Sequence, residues 1–301
     1  LSDLKVAGAR MIGAFLLAAA GTALGAFLGA IILSGTFGES TWKLAGVFTG
    51  TYSGGSVNFV SVGRGVQLPN ALFAGATAAD ALTTGIWLAV CLTLPIWLGR
   101  FYKATIPGEG EDNGPEEHAH PFFDKIPLST LDLANLLAVG FGLVVLSSWM
   151  GRLVPSIPSV VWLTSLALGV GHLKFFRSER GAMQLGNLAL HFFFVIIGIH
   201  SRISEILAVG VEVFYFTLVV VGVHGLVVFG GGRLLRMDVG SLAVASQAAV
   251  GGPSSALAVA VSREWRGLVL PGVIVGLLGY AVGTYLGLSV AFLVRGMGVG
   301  F

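Results

Sequence analysis

Residues 11–33 form an unbroken run of 23 residues without a charge. A helix rises 1.5 Å per residue, and about 20 apolar residues cross the hydrocarbon core of a bilayer. Within that core every backbone N–H and C=O must be bonded internally, which leaves helices and closed barrels as the only spanning structures. The length of the run selects a helix. Its small residues (Gly13, Gly21, Gly25, Gly29) include small-xxx-small pairs that let helices approach closely. The whole chain has the same character: 55% of its 301 residues are apolar and 11% charged, against about 25% charged in average proteins. The expected fold is an all-α polytopic membrane protein. The net charge of +2 gives no sign of a nucleic-acid partner. Cys91 is the single cysteine, which excludes an internal disulfide and a cysteine-based metal cluster.

Further long apolar runs cover 71–98, 131–150, 206–231 and 268–294, with shorter ones at 160–170 and 188–199. Residues 104–130 are different. They hold Glu109, Glu111, Asp112, Glu116, Glu117, His118 and His120 and read as a flexible polar linker. His118 and His120 stand beside carboxylates, but nothing fixes a ligand geometry for a metal. Three regions result: 1–103 as the later part of a first repeat, 104–130 as the linker, and 131–301 as a second repeat, with panel-type spans at 131–200 and core-type spans at 206–295.

Two apolar runs are interrupted in matching places. Residues 42–48 and 59–66 are each too short to span, and Thr49-Gly50-Thr51-Tyr52-Ser53-Gly54-Gly55-Ser56-Val57-Asn58 joins them. Downstream, Val250-Gly251-Gly252-Pro253-Ser254-Ser255 interrupts 240–262. A shift of 197 positions places Gly54-Gly55 on Gly251-Gly252 and Gly75 on Gly272. Paired interruptions of this kind are the best sequence pointer to a transporter's binding site. The second repeat has three segments ahead of its core-type spans that the first lacks, so about three spans are expected ahead of Leu1. We read the repeats as inverted, with the two broken helices crossing near the midplane. Inversion needs an even number of crossings between 71–98 and 206–231, and three are counted. Either one short segment re-enters, or a crossing is missed, or the repeats run parallel.

A break leaves backbone groups free, and it persists only where protein or a wet cavity satisfies them. The half-helix starting near Ser56 aims N–H groups and a positive dipole end into the break, which suits an anion. The half-helix ending near Tyr52 aims carbonyls there and, with Thr49, Thr51 and Ser53, suits Na⁺. Asn58, Gln247, Ser254 and Ser255 add hydrogen-bonding side chains. The bland alternative is that each glycine pair serves only helix packing, with the hydroxyls bonded to their own helix. Asp80 lies about 15 Å along its span, where a carboxylate is costly and by default functional. Its counterpart under the shift is Leu277. Glu212, Asn187, His191 and His224 are weaker candidates, and Tyr280, Thr284 and Tyr285 line the site or simply pack. The six tryptophans, among them Trp42, Trp87, Trp97, Trp149 and Trp265, fit an interfacial aromatic belt. No HExxH, GxSxG or phosphate-loop motif is present, and no enzymatic activity or cofactor is expected.

These residues carry a resemblance. Gly54-Gly55-Ser56-Val57-Asn58, Asp80, the stretch Ala249-Val250-Gly251-Gly252-Pro253-Ser254-Ser255, Pro271-Gly272, and Gly279-Tyr280 through Gly287 resemble the membrane proteins of domain-of-unknown-function family 819. The resemblance covers nearly the whole chain. That family is grouped with the cation:proton antiporter and bile-acid-type anion transporter superfamily. The grouping implies a panel domain, a core domain with two crossed discontinuous helices, and elevator-like alternating access. In the antiporter branch an acidic pair follows the first crossed helix. Here Ala79 precedes Asp80, a single carboxylate, which speaks against two-proton chemistry.

The expected function is a secondary active transporter moving a small anionic organic solute coupled to Na⁺ or H⁺. In this reading Gly55, Ser56, Asn58, Gln247, Gly252, Ser254 and Ser255 bind the solute. Asp80, Thr51, Ser53 and Asn58 carry the coupling ion, with Na⁺ at Thr51, Ser53 and Asp80. A homodimer in a bacterial inner membrane is expected. The alternatives are a Na⁺/H⁺ antiporter without an organic substrate, and a membrane structural or sensor subunit that transports nothing.

Overall fold

The computed structural model describes residues 2–102, 127–155, 157–173, scattered positions between 181 and 195, and 203–300. Most of the polar linker with His118 and His120, the basic loop 174–180, and Asn187, His191 and His200 lie outside the described residues. The chain is all-helical, and six helices among the described residues are long and apolar enough to cross a membrane. It divides into two compact units, Leu1–Pro115 with Ser201–Phe301, and Glu116–His200.

Among its described residues the first unit holds seven principal helices. They are α1 (Ser2–Ile32), α2 (Thr41–Thr51), α3 (Ser56–Gly65), α4 (Asn70–Leu98), α7 (Ile203–Gly225), α8 (Val239–Ser262) and α9 (Arg266–Gly296). The second unit holds α5 (Thr130–Leu153) and α6 (Ser159–Gly171). Helix α5 opens with a capping box: Asp132 N–H donates to Ser129 Oγ at 3.0 Å, and Ser129 N–H to Asp132 Oδ2 at 3.0 Å. Two orphan donors of its first turn are thereby satisfied.

The core of the first unit is made by its small residues. On α1, Gly21 meets the backbone of His224 and Gly29 meets the ring of Phe216, so α1 and α7 lie against each other along this stripe. Phe48, Tyr52, Phe59, Phe73 and Phe216 fill the space beside it, with Phe59 edge-on to Phe73 at 4.9 Å between centroids. Past Gly225, α7 runs on as a π-helical segment over Leu226–Gly231 before ending at Leu234.

The 197-residue shift holds at the level of individual hydrogen bonds. Helix α3 ends with Gln67 N–H on Arg64 O at 3.2 Å and Leu68 N–H on Gly63 O at 2.9 Å. Helix α8 ends with Glu264 N–H on Val261 O at 3.0 Å and Trp265 N–H on Ala260 O at 2.8 Å. Both are Schellman ends, in which a left-handed residue turns back to satisfy the last carbonyls. Here that residue is not glycine: Gln67 has φ 53° and Glu264 φ 57°.

The tryptophans divide. Trp97 and Trp149 are largely exposed, as a belt requires, whereas Trp42, Trp87 and Trp265 are buried. Trp87 sits mid-helix and bonds inward. Its indole N–H gives a large apolar ring one polar end that can be satisfied inside a helix bundle.

Candidate functional site

The first break lies between α2 and α3, at Gly55 with φ 76° and ψ 179°. The second lies within α8, at Gly252 with φ 80° and ψ −171°. Such a backbone is open almost only to glycine, which explains why each interruption carries one. The breaks meet. A Cβ placed on Gly55 would lie 3.7 Å from the Cα and from the N of Gly252. The same atom would be 3.3 Å from Tyr280 Cε1, and a Cβ on Gly252 would be 3.1 Å from the Tyr280 hydroxyl. Tyr280 of α9 therefore stands over both breaks at once, half-buried. Helix α9 comes this close because Gly279 faces Gly54 backbone to backbone, where a Cβ on Gly54 would overlap the Gly279 carbonyl.

Several polar atoms at the breaks have no partner. Ser53 Oγ and both amide atoms of Gln247 are buried and unbonded, while the buried Tyr52 phenol faces Asp80. A buried polar group left unbonded costs about 1–3 kcal/mol, and these three atoms beside the breaks can each take a polar partner. Gln247 sits beside the second break: a Cβ on Gly251 would come within 2.8 Å of its Nε2.

Asp80 of α4 is buried. Its Oδ1 accepts only long bonds, from Thr51 Oγ1 and Thr84 Oγ1, each at 3.5 Å. The Tyr52 phenol is its other polar neighbour. No basic side chain pairs with it among the described residues. Thr51 ends α2, so this contact places Asp80 beside the first break.

Other candidates take different roles. Asn58 was expected to hold both solute and ion, but its side chain is already bonded. Nδ2 donates to Gly54 O at 2.9 Å and to Gly279 O at 3.1 Å, and Oδ1 accepts from Thr284 Oγ1 at 2.7 Å. It ties α3 to α9 across the break. Thr49 Oγ1 donates to its own helix at Ala45 O, 2.7 Å away. Ser255 Oγ does likewise to Gly252 O at 2.9 Å, which leaves Ser255 as a helix-bound hydroxyl. Ser254 is exposed, and Ser56 is half-buried in the first turn of α3. Sequence reasoning undervalued Tyr280 and His224. His224 is fully buried and bonded at both ring nitrogens, to Thr22 Oγ1 and to Ser246 Oγ, each at 2.8 Å. The only signal for Tyr280 was its place one residue after Gly279, which cannot by itself separate a lining residue from a packing one.

Comparison with known proteins agrees on family and on membrane location. A family model described as "Protein of unknown function (DUF819)" matches residues 3–297. The chain is similar to the uncharacterized membrane protein YjcL of Bacillus subtilis (strain 168), with 28% identity over 296 residues, 92% of this chain and 74% of that one. No solved structure matches.

Proposed function

We propose that this chain, which belongs to the DUF819 family, is the core of an integral-membrane secondary transporter that couples Na⁺ or H⁺ to the movement of a small anionic organic solute. The observation that carries this reading is the meeting of two matched breaks around buried, unbonded polar atoms. Grouping with the cation:proton antiporter and bile-acid-type anion transporter superfamily, with inverted repeats and alternating access, fits the same observation.

The solute end of the site would be the two half-helix starts, at Ser56 and just past Gly252. Their free N–H groups and positive dipole ends favour a carboxylate or similar anion. The Gln247 amide offers both a donor and an acceptor, and Tyr280 closes the side toward α9. The coupling end would be Asp80 with Thr51 and Ser53. A carboxylate without a basic partner gains from either a proton or a cation, and this exchange is the basis of coupling. Asn58 drops out of both ligand sets and serves as the strut that keeps the first break open.

Reconstituted protein tests this. Asp80→Asn is expected to abolish the Na⁺ and pH dependence of uptake, and unchanged dependence would remove Asp80 from coupling. The solute is to be found by thermal shift over a panel of ions and small acids. A ligand at a hundredfold excess over its Kd stabilises by about 2.7 kcal/mol. The lack of a basic partner for Asp80 among the described residues also favours a second reading, Na⁺/H⁺ antiport without an organic solute. Proteoliposomes that alkalinise in response to Na⁺ alone would select it.

A further inference from the structure

We propose that His224, held as the neutral tautomer with its proton on Nδ1, is a positioning residue that fixes the Tyr52 carbonyl and thereby keeps the two breaks in register. The proposal rests on the transporter reading only for what the register is used for.

Four helices and the residue that caps α2 contribute to one buried chain of hydrogen bonds. Trp87 Nε1 of α4 donates to Ser246 Oγ of α8 at 2.9 Å. Ser246 Oγ lies 2.8 Å from His224 Nε2 of α7. His224 Nδ1 lies 2.8 Å from Thr22 Oγ1 of α1. Thr22 Oγ1 donates to the Tyr52 carbonyl, just past the end of α2, at 2.8 Å. The direction is set at the two ends, because an indole N–H can only donate and a carbonyl can only accept. Thr22 gives its hydrogen to Tyr52, so it must accept from Nδ1–H. Nε2 is then bare and takes the hydrogen of Ser246. Ser246 also receives the Cys91 thiol, at 4.0 Å, and the Ala18 carbonyl of α1 lies against the imidazole. A proton on Nε2 would add a second N–H donor to Ser246 beside Trp87 and set a bare Nδ1 against Thr22 Oγ1, whose one hydrogen is given to Tyr52.

The ends of the chain give it a purpose. Ser246 precedes Gln247, whose unbonded amide lies at the second break, and Tyr52 is the shoulder of the first. The Tyr52 ring stands beside Asp80. The π-helical segment begins at Leu226, two residues past His224, where the local extra residue per turn changes how α7 presents its side chains.

The test uses full-length protein in nanodiscs. Histidine ¹⁵N spectra of wild type and His224→Gln, by difference, should show a protonated Nδ1 and a bare Nε2 at position 224. Hydrogen exchange should then rise about tenfold in both break segments, 49–58 and 247–255, in His224→Phe and in Thr22→Val, while Thr22→Ser stays like wild type. Apparent Na⁺ affinity, read by thermal shift, should fall at least about tenfold in the same two variants, as loss of an outer-shell partner does. A proton on Nε2, loosening confined to one break, or a Thr22→Val protein that exchanges like wild type would overturn the proposal. A wild type indifferent to Na⁺ counts against the transporter reading alone, and the tautomer and exchange results then decide.

Discussion

At the first break Gly55 turns with φ 76° and ψ 179°, and at the second Gly252 turns with φ 80° and ψ −171°. The helices that follow also close alike, on left-handed Gln67 and Glu264. The attached side chains are not alike. The first break is strutted to α9 by Asn58, while its counterpart under the shift, Ser255, bonds within its own helix. The helix after the first carries Asp80, and the helix after the second carries Leu277 in that place. The two breaks therefore share a backbone device and differ in the side chains attached to it. The backbone is constrained by sterics that are the same wherever the turn occurs, whereas a side chain is constrained by its neighbours, which differ between copies.

Four comparisons bear on this, in falling order of effect. Gly54→Ala should destabilise by about 3 kcal/mol, because its methyl meets the Gly279 backbone, whereas Gly251→Ala meets the movable ends of Ser255 and Gln247 and should cost about 1 kcal/mol. Equal losses of melting temperature would undo the claimed asymmetry. Asn58→Ala should cost about 2–3 kcal/mol and Ser255→Ala less than about 1 kcal/mol, since only the former leaves buried partners on another helix unbonded. A denaturation series on both proteins checks it. Gly55→Ala and Gly252→Ala should cost alike, about 1–3 kcal/mol each, and a clear gap between them would mean the two turns are not equivalent. Gln67→Gly and Glu264→Gly should each stabilise by about 0.5–1 kcal/mol, detectable as a small rise in melting temperature shared by both.

The breaks were legible in the sequence because a glycine pair inside an apolar run has few other uses. The helix carrying Asp80 was legible because its apolar run is long enough to span a bilayer. The Schellman ends were not, since Gln67 and Glu264 lack the glycine that usually marks such a turn. The roles of Asn58, Trp87 and His224 were not legible either. Asn58 meets the Gly279 carbonyl 221 positions away, and His224 meets Thr22 at a separation of 202. Periodicity says which face of a helix is buried, but it does not say which hydroxyl or carbonyl waits on the other side.

The shortness of α2 and α3 has a consequence during synthesis. At 11 and 10 residues, neither can settle in hydrocarbon unaided. Their partners at the crossing are made 197 residues later, about 10–40 s at ordinary elongation rates. Over that interval the ribosome-bound chain holds an incomplete pair that the insertion machinery or a companion must shelter. A nascent chain arrested before residue 239 should leave 41–65 open to cysteine labelling from water, and one arrested after residue 296 should close it off.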